Sequence, residues 1–311
     1  MILTVTANAA IDRTLCVEEL SPGCLHSAAS DHVQAGGKGV NVARVLHAFG
    51  VPVHALVLVG GEAGDWIVKD LERAQIPCSA VRASGESRTC LALLETKSGR
   101  ATQVHGAGVT ADAAVARDLI AHTAELARSA GWVALCGSLA QGLPAESAGA
   151  LVRAARGAGA RVAVDTSGGA LRSAGSQGPE LLRVNRDELA GVLGVARHQV
   201  PAPPYPTLGP IAMGVISDGA FPIEAWCLGG GRWQVAPPHV SAKNTVGCGD
   251  AMLAGLLKTL SEGRPFDVAL LAATGLAAAQ AESRYAGVVD PVRARSLAHT
   301  LGAAGGLENR A

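Results

Sequence analysis

Residues 244–253 read Asn-Thr-Val-Gly-Cys-Gly-Asp-Ala-Met-Leu and continue directly into an alanine- and leucine-rich stretch. This pattern predicts a glycine turn that opens a helix, with the carboxylate of Asp250 near the helix start. The backbone N–H groups of Gly247, Cys248 and Gly249 would lack partners in a first helical turn and would point at an anion. An anion site with a basic carboxylate at its edge is suited to phosphoryl transfer to a hydroxyl. The alternative from this stretch alone is a capped helix without a chemical role.

A second glycine loop lies near the N-terminus, where residues 35–43 read Ala-Gly-Gly-Lys-Gly-Val-Asn-Val-Ala. The apolar residues that follow recur at helical spacing, so the glycines form the entry to a helix. Three glycines in four positions let a ligand approach the backbone closely. Lys38 and Asn41 lie within this entry and offer donors to the hydroxyls of a ligand. The loop matches neither GxxxxGK[ST] nor GxGxxG after a strand, so it is a different kind of site.

Together the two glycine motifs resemble the signatures of the PfkB-type carbohydrate kinases of the ribokinase-like superfamily. Residues 36–43 correspond to the first signature and residues 245–250 to the second. Residues 8–12, Asn-Ala-Ala-Ile-Asp, are similar to the opening motif of the ketohexose-phosphate branch, which resembles 1-phosphofructokinase and tagatose-6-phosphate kinase. Further segments extend the resemblance over nearly the whole chain, namely 137–144, 164–168 and 185–189.

Short apolar runs alternate with helical patterns along the chain, which is typical of a mostly parallel central sheet with helices on both faces. The predicted fold class is therefore α/β, and the resemblance implies the three-layer ribokinase-like fold. The expected central strands are 2–6, 53–59, 132–136, 161–164, 181–184 and 211–217, and the expected helices lie near 37–49, 62–74, 111–128, 145–156 and 186–193.

Two segments, about 12–34 and 88–105, interrupt this alternation with strand-like patterns and turns. We expect them to form a small antiparallel sheet that projects from a single kinase domain spanning 1–311. The resemblance implies that this sheet is a lid over the sugar site and the surface of a homodimer. The proline-rich residues 200–210 predict a surface connection. The glycine-rich tail from Gly302 is expected to fray.

The resemblance also implies roles for individual residues. Asp250 would be the general base that takes the proton from the sugar hydroxyl as the hydroxyl attacks the γ-phosphorus, and Gly247, Cys248 and Gly249 would stabilise the developing charge. The residues expected to bind the sugar substrate are Asp12, Gly37, Lys38, Asn41, Arg88 and Ser138. The residues expected to bind ATP are Arg183, Asn185, Glu188, Ser217, Gly219, Gly247 and Gly249, of which Asn185 and Glu188 would organise Mg²⁺ through its waters.

Arg88 carries the prediction of a phosphorylated acceptor. A guanidinium fits a phosphate in bidentate geometry, whereas a neutral sugar gains little from it. The alternative is an arginine on an edge strand. Ser27 stands where many phosphosugar kinases of the family carry a basic residue, which leaves the substrate open, and His26 is the substitute donor. Asn244 replaces an acidic residue common in the wider family, which weakens the inference of a bound monovalent cation.

The function predicted from these residues is ATP- and Mg²⁺-dependent phosphorylation of a ketohexose phosphate to a bisphosphate. Fructose 1-phosphate, fructose 6-phosphate and tagatose 6-phosphate are all candidate acceptors. One alternative is a kinase of an unphosphorylated sugar or nucleoside, which Arg88 disfavours and Ser27 favours. The other is a catalytically silent sugar-binding protein, which the two glycine loops and Asp250 disfavour.

Composition is in keeping with a globular enzyme of the cytoplasm. The 311 residues are 49% hydrophobic and 17% charged, which supplies ample material for a core. The 26 basic and 26 acidic residues balance, which argues against nucleic acid or an anionic membrane as main partner. Seven unclustered cysteines predict reduced thiols, not a disulfide or zinc framework. The N-terminus does not resemble a signal peptide, and we expect no membrane span.

Overall fold

The computed structural model describes residues 1–303 and 305–309, in which fourteen strands form two sheets. Numbered in chain order, the strands are β1 (Ile2–Thr6), β2 (Ala10–Val17), β3 (Ser30–Gly36), β4 (Val53–Val59), β5 (Cys78–Arg82), β6 (Arg88–Glu95), β7 (Ala101–His105), β8 (Trp132–Cys136), β9 (Arg161–Asp165), β10 (Leu181–Asn185), β11 (Met213–Asp218), β12 (Phe221–Cys227), β13 (Arg232–Val235) and β14 (Leu307–Asn309).

The helices of the described residues connect these strands. They are α1 (Lys38–Ala48), α2 (Gly61–Arg73), α3 (Ala113–Ala127), α4 (Glu146–Gly157), α5 (Gly168–Gly175), α6 (Arg186–Leu193), α7 (Cys248–Ser261), α8 (Phe266–Ala281) and α9 (Pro291–Ala303). Among them, none combines the length and the apolar character that a membrane crossing requires.

The large sheet has ten strands in the order β14-β13-β12-β11-β10-β9-β8-β1-β4-β5. The pairings from β11 to β5 are all parallel, and those from β11 to β14 are antiparallel. The predicted central strands are confirmed because strands buried on both faces appear in the sequence as continuous apolar runs. The antiparallel edge, β5 and α5 were not predicted, since their shorter and more polar segments lack that signal.

Helices cover both faces of the large sheet. Alternate residues of β1 separate into two hydrophobic clusters, with Ile2 in one and Leu3 and Val5 in the other. The first cluster takes apolar residues from α1, α2, α7, α8 and α9, and the second takes them from α3, α4, α5 and α6. This arrangement confirms the predicted α/β fold of three layers.

The small sheet has the order β3-β2-β6-β7 and is built from the two predicted segments. Its outer pairings, β2 with β3 and β6 with β7, are antiparallel as predicted, but the central pairing of β2 with β6 is parallel. The reason lies in the large sheet. Because β2 and β6 each follow the carboxyl end of a parallel strand, β1 and β5, after a short connection, they leave the sheet in the same direction.

Two peripheral segments differ from expectation. Residues 200–210 do connect two elements, but Tyr205 and Leu208 are buried, and the Tyr205 ring packs edge-on against Trp226 at 5.3 Å. The prediction of a frayed tail was wrong for the described part, because α9 continues through Gly302 and β14 pairs with β13. In both cases apolar contacts outweigh the preferences of proline and glycine.

Candidate active site

A cavity of about 830 Å³ lies between the carboxyl edge of the large sheet and the small sheet. The carboxyl ends of parallel strands meet at one edge, which is where open α/β sheets bind ligands. β8 to β11 therefore deliver polar residues to the cavity, while α1 and α7 begin beside it. Every residue expected to bind substrate or nucleotide lines this cavity: Asp12, Gly37, Lys38, Asn41, Arg88, Ser138, Arg183, Asn185, Glu188, Ser217, Gly219, Gly247, Cys248, Gly249 and Asp250.

The predicted glycine turn does open α7. Gly247 precedes the helix with φ +83°, a left-handed conformation that favours glycine. Among the described residues, the N–H groups of Gly247 and Gly249 have no hydrogen-bond acceptor, whereas that of Cys248 donates weakly to the Thr245 carbonyl at 3.3 Å. Two of the three expected donors are thus free for an anion. We call residues 245–249 the anion turn.

Cys248 within this turn is not a reactive thiol. Burial raises the pKa of its thiol to about 12, with a further rise from the carboxylate of Asp250. The thiol is therefore protonated at neutral pH, and thiolate is the nucleophilic form. The prediction that Cys248 acts through its backbone N–H stays a prediction, since that N–H donates weakly to Thr245.

Asp250 is the third residue of α7, and its side chain is buried. It does not cap the helix, since its Oδ2 instead accepts a hydrogen bond from Nδ2 of Asn41 at 2.9 Å. Burial, followed by the nearby carboxylate of Asp165, raises the pKa of Asp250 to about 7. A carboxylate with a near-neutral pKa beside an anion site suits a general base. The capped-helix alternative is not what the structure shows.

Asp12 and the first glycine loop form the acceptor side of the cavity. A Cβ atom at Gly36 would lie 2.0 Å from Cγ of Asp12, so only glycine allows this carboxylate to approach the loop. Burial raises the pKa of Asp12 to about 6, although hydrogen bonds from the Gly37 N–H and the Asn41 amide oppose the rise. Asn41 therefore contacts both Asp12 and Asp250.

Lys38 lines the cavity and also forms two ion pairs. Its Nζ lies 2.7 Å from Oδ1 of Asp165 and 2.8 Å from Oε1 of Glu188. Burial lowers the pKa of Lys38, but the two carboxylates outweigh burial and raise it overall. The charged ammonium thus joins two carboxylates, and at most one of its three N–H groups remains for a sugar hydroxyl.

Asp165 is the centre of this charge cluster and was missed from the sequence. Burial raises the pKa of Asp165, yet the charges of Lys38 and Arg183 lower it overall, so the group is ionised. Arg183 donates to its other oxygen at 2.9 Å. The available signal was its position, since residue 165 ends β9 at the carboxyl edge of the large sheet. Its motif was recognised, but no role was assigned to it.

Asn185 and Glu188 form a capping box at the start of α6. Oδ1 of Asn185 accepts from the Glu188 N–H at 2.8 Å, and Oε2 of Glu188 accepts from the Asn185 N–H at 3.0 Å. Among the described residues, no three acidic, histidine or cysteine side chains are grouped to enclose a metal ion. Mg²⁺ is commonly held by one or two carboxylates with water and substrate phosphates. Asn185 and Glu188 line the cavity and fit that kind of site, whereas Asp165 is buried and both of its oxygens are held by Lys38 and Arg183.

Arg88, at the start of β6, lies at the acceptor end. One guanidinium nitrogen donates to the Asn8 carbonyl at 3.3 Å, while Nε is buried without an acceptor among the described residues. The Asn8 amide in turn contacts Oγ of Ser138 at 3.3 Å. Asn8 was not among the predicted site residues, although it belongs to a recognised motif. Arg88 lines the cavity, so its guanidinium offers positive charge and N–H donors to an anionic group bound there.

His26, the predicted substitute for a second basic residue, does not lie beside Arg88 in the cavity lining. His26 and Ser27 lie in an exposed loop outside the cavity lining. Nε2 of His26 contacts the backbone of Ser21 instead, at 3.0 Å from its carbonyl oxygen. Within this chain, His26 does not complete a phosphate clamp with Arg88.

The sequence of nearly the whole chain matches a known family of kinases. The family described as pfkB family carbohydrate kinase matches the chain over residues 3–293. The chain belongs to this kinase family. The resemblance inferred from the two glycine motifs is thereby confirmed.

Two relatives of this pfkB-family kinase carry the same name. The chain is 36% identical over 273 residues to 1-phosphofructokinase from Xanthomonas campestris pv. campestris, covering 83% of each chain. It is 32% identical over 270 residues to 1-phosphofructokinase from Rhodobacter capsulatus, covering 84% of each. The tetrameric inhibited form of phosphofructokinase-2 from Escherichia coli shares the fold, with a TM-score of 0.85, 24% identity, and coverage of 97% of this chain and 99% of the other.

One further residue links the elements around the expected nucleotide site of this kinase. Besides Asp165, the Arg183 guanidinium donates to Oγ of Ser217 at 2.6 Å. A Cβ atom at Gly249 would lie 2.2 Å from a guanidinium nitrogen of Arg183. Arg183 therefore contacts β9, β11 and the anion turn, and the glycine at 249 is what makes room for it.

Asn244 fixes the other end of the anion turn. Its Nδ2 donates to the Arg284 carbonyl at 2.8 Å, and its Oδ1 accepts from the Val246 N–H at 3.0 Å. The neutral amide thus satisfies a carbonyl by donating to it, which an acidic residue could not do.

Proposed function

We propose that this kinase transfers the γ-phosphoryl group of ATP to a hydroxyl of a ketohexose phosphate, giving a bisphosphate and ADP. The observation that carries this proposal is the position of Asp250, a buried carboxylate with a pKa near 7 beside the anion turn. Fructose 1-phosphate, fructose 6-phosphate and tagatose 6-phosphate remain the candidate acceptors. The two relatives named 1-phosphofructokinase favour fructose 1-phosphate.

Asp250 would take the proton from the attacking hydroxyl, and Asn41 would hold the carboxylate in position through its 2.9 Å hydrogen bond. The free N–H groups of the anion turn would stabilise the charge that develops on the transferred group. Asp12, Gly37 and the remaining donor of Lys38 would hold other hydroxyls, so that the attacking oxygen is in line with the phosphorus.

The acceptor's phosphate would bind at Arg88, because this guanidinium lines the cavity on the strand that pairs with the strand of Asp12, and Ser138 lies nearby through Asn8. An arginine offers two parallel N–H donors to one phosphate. A phosphate dianion would therefore gain more from Arg88 than a neutral hydroxyl group would.

The nucleotide phosphates would lie along Arg183 on β10 and along Ser217 and Gly219 at the end of β11. Asn185 and Glu188, at the start of α6, would hold Mg²⁺ through water. When bound, the metal neutralises charge on the phosphates. The ion pairs of Lys38 and Arg183 with Asp165 would keep these three side chains charged and oriented beside the phosphates.

The decisive experiment is an assay of ADP release with ATP and a panel of sugars and sugar phosphates. We expect turnover with one ketohexose phosphate to exceed turnover with the matching free sugar by orders of magnitude. Equal rates on both would support the second candidate, a kinase of unphosphorylated sugars. That candidate is favoured by the position of His26 outside the cavity. No release with any acceptor would contradict both.

We also propose that the small sheet closes over the acceptor as a lid on a single domain. Its strands carry Asp12 and Arg88 over the cavity, and a closed lid would exclude water from the transfer. Hydrogen exchange at residues 12–34 and 88–105 should slow when acceptor and nucleotide are bound. Unchanged exchange at saturation would contradict the lid.

The outer strands of the small sheet support a homodimer, which is part of the same proposal. Val33 on β3 and Val104 on β7 are 37% and 58% exposed, and both strands are sheet edges that can pair with another chain. Sedimentation should give twice the chain mass, and Val104→Glu should shift it toward the monomer. The seven free thiols are in keeping with a cytoplasmic location.

A further inference from the structure

Gln34 lies directly opposite Asp12 in the pairing of β2 with β3, and its side chain is buried. We infer that Gln34 is a positioning residue that holds the anion turn in place through residues 285–287, which we call the bracing segment. The inference rests on the proposed phosphoryl transfer. It assigns a task to a residue for which the sequence motifs predict none.

Both polar atoms of the Gln34 amide have protein partners. Its Nε2 donates to the Ala286 carbonyl at 2.6 Å in a buried hydrogen bond. Its Oε1 lies 3.1 Å from Nε2 of His32, whose ring stacks on Tyr285 with the centroids 3.9 Å apart. Gln34 therefore acts on the bracing segment from the small sheet at two adjacent points.

The opposite side of the bracing segment contacts the catalytic groups. A Cβ atom at Gly247 would lie 3.0 Å from Cβ of Ala286, so the segment packs directly against the anion turn. A Cβ atom at Gly287 would lie 3.3 Å from Cα of Asn41, the residue that holds Asp250. The segment thus lies between Gln34 on one side and both the phosphate donors and the base orienter on the other.

The acceptor site and the anion turn therefore both depend on the small sheet. The small sheet carries Asp12 for the acceptor, and through Gln34 it also sets where the anion turn lies. A misplacement of about 1 Å in such a site can cost about a hundredfold in rate. Loss of the Gln34 donor should therefore slow phosphoryl transfer while the ATP contacts on the far side of the cavity stay intact.

The test is Gln34→Met, which keeps the length of the side chain and removes its N–H donor. We expect kcat to fall tenfold or more per folded molecule, with KM for ATP within twofold of wild type. The same exchange at an exposed glutamine outside the cavity lining, Gln141→Met, is the control and should leave both unchanged. A wild-type kcat in Gln34→Met, or a loss that merely follows the folded fraction, overturns the inference.

Gln34→Glu is the second variant and keeps the test decisive if the first does not fold. A carboxylate has the same shape but cannot donate to the Ala286 carbonyl, whereas its protonated form can. The ratio of variant to wild-type kcat, measured per folded molecule, should therefore rise as the pH falls, whereas a purely structural role would change only the folded fraction. A ratio that is independent of pH overturns the inference. If wild type itself releases no ADP with any acceptor, the proposed function has failed instead.

Discussion

Asn41 donates a hydrogen bond from its Nδ2 to Oδ2 of Asp250 across 2.9 Å, although the two residues are 209 positions apart. The bond joins the first glycine loop, on the acceptor side, to the second, on the phosphate side. Among the described residues, the other oxygen of Asp250 has no hydrogen-bond donor. The carboxylate is thus oriented by one oxygen and free to take a proton with the other.

The first prediction concerns the base itself. Asp250→Asn should lower kcat by about a hundredfold or more, because the proton acceptor is lost while the surrounding contacts remain. The affinity for ATP should stay near wild type, as measured by equilibrium binding. Near-normal turnover in this variant would remove Asp250 from the mechanism.

The second prediction concerns stability and pH. The folded-state pKa of Asp250 is raised from 3.8 to about 7, so the neutral form is favoured by folding. The resulting stabilisation is fully present below pH 3.8 and is lost as the pH rises through 7. Asp250→Asn avoids the buried charge, so it should stabilise the protein at pH 8 by up to about 4 kcal/mol. Urea unfolding at pH 8 and pH 5 should show the smaller gain at pH 5, and equal gains would contradict the raised pKa.

The third prediction concerns the acceptor's phosphate. Arg88→Ala should lower kcat/KM for the phosphosugar by about 2–4 kcal/mol, as truncation of a charge pair does. Steady-state kinetics on the matching free sugar should hardly change, because that substrate offers no dianion. A uniform loss on both substrates would mean that Arg88 supports the small sheet and does not bind phosphate.

The fourth prediction concerns Gly249. A methyl group there would meet the Arg183 guanidinium, at 2.2 Å from one nitrogen, and would displace it from Ser217 and Asp165. Gly249→Ala should therefore raise KM for ATP by about tenfold or more, the cost of about one charged hydrogen bond. Gly191→Ala is the matched control, since that helical glycine faces open space, and it should be neutral or slightly stabilising. Equal KM values in both variants would contradict the role of Arg183.

The sequence was sufficient for the layers of the fold and for a set of residues that all line the cavity, although it missed others such as Asn8. Buried parallel strands and glycine-rich helix entries leave strong local patterns, so β1, β4 and β8 were predicted to the residue. The partners of charged side chains leave no such pattern. Lys38 meets Asp165 across 127 positions of the chain, and only the strand order brings them together. For the same reason the parallel pairing of β2 with β6 could not be predicted, because strand direction depends on where each strand leaves the large sheet.

That parallel pairing of β2 with β6 fixes the distance between the two groups that would bind the acceptor. Ala10 is paired with Arg88 and Asp12 with Cys90, so the spacing between the proposed hydroxyl and phosphate contacts is fixed by backbone register. Moving the arginine two places along β6, to the position of Cys90, would keep it on the same face and shift it by about 6.6 Å. The position of the arginine along β6 would then select acceptors of different length, without a change in the residues that carry out phosphoryl transfer.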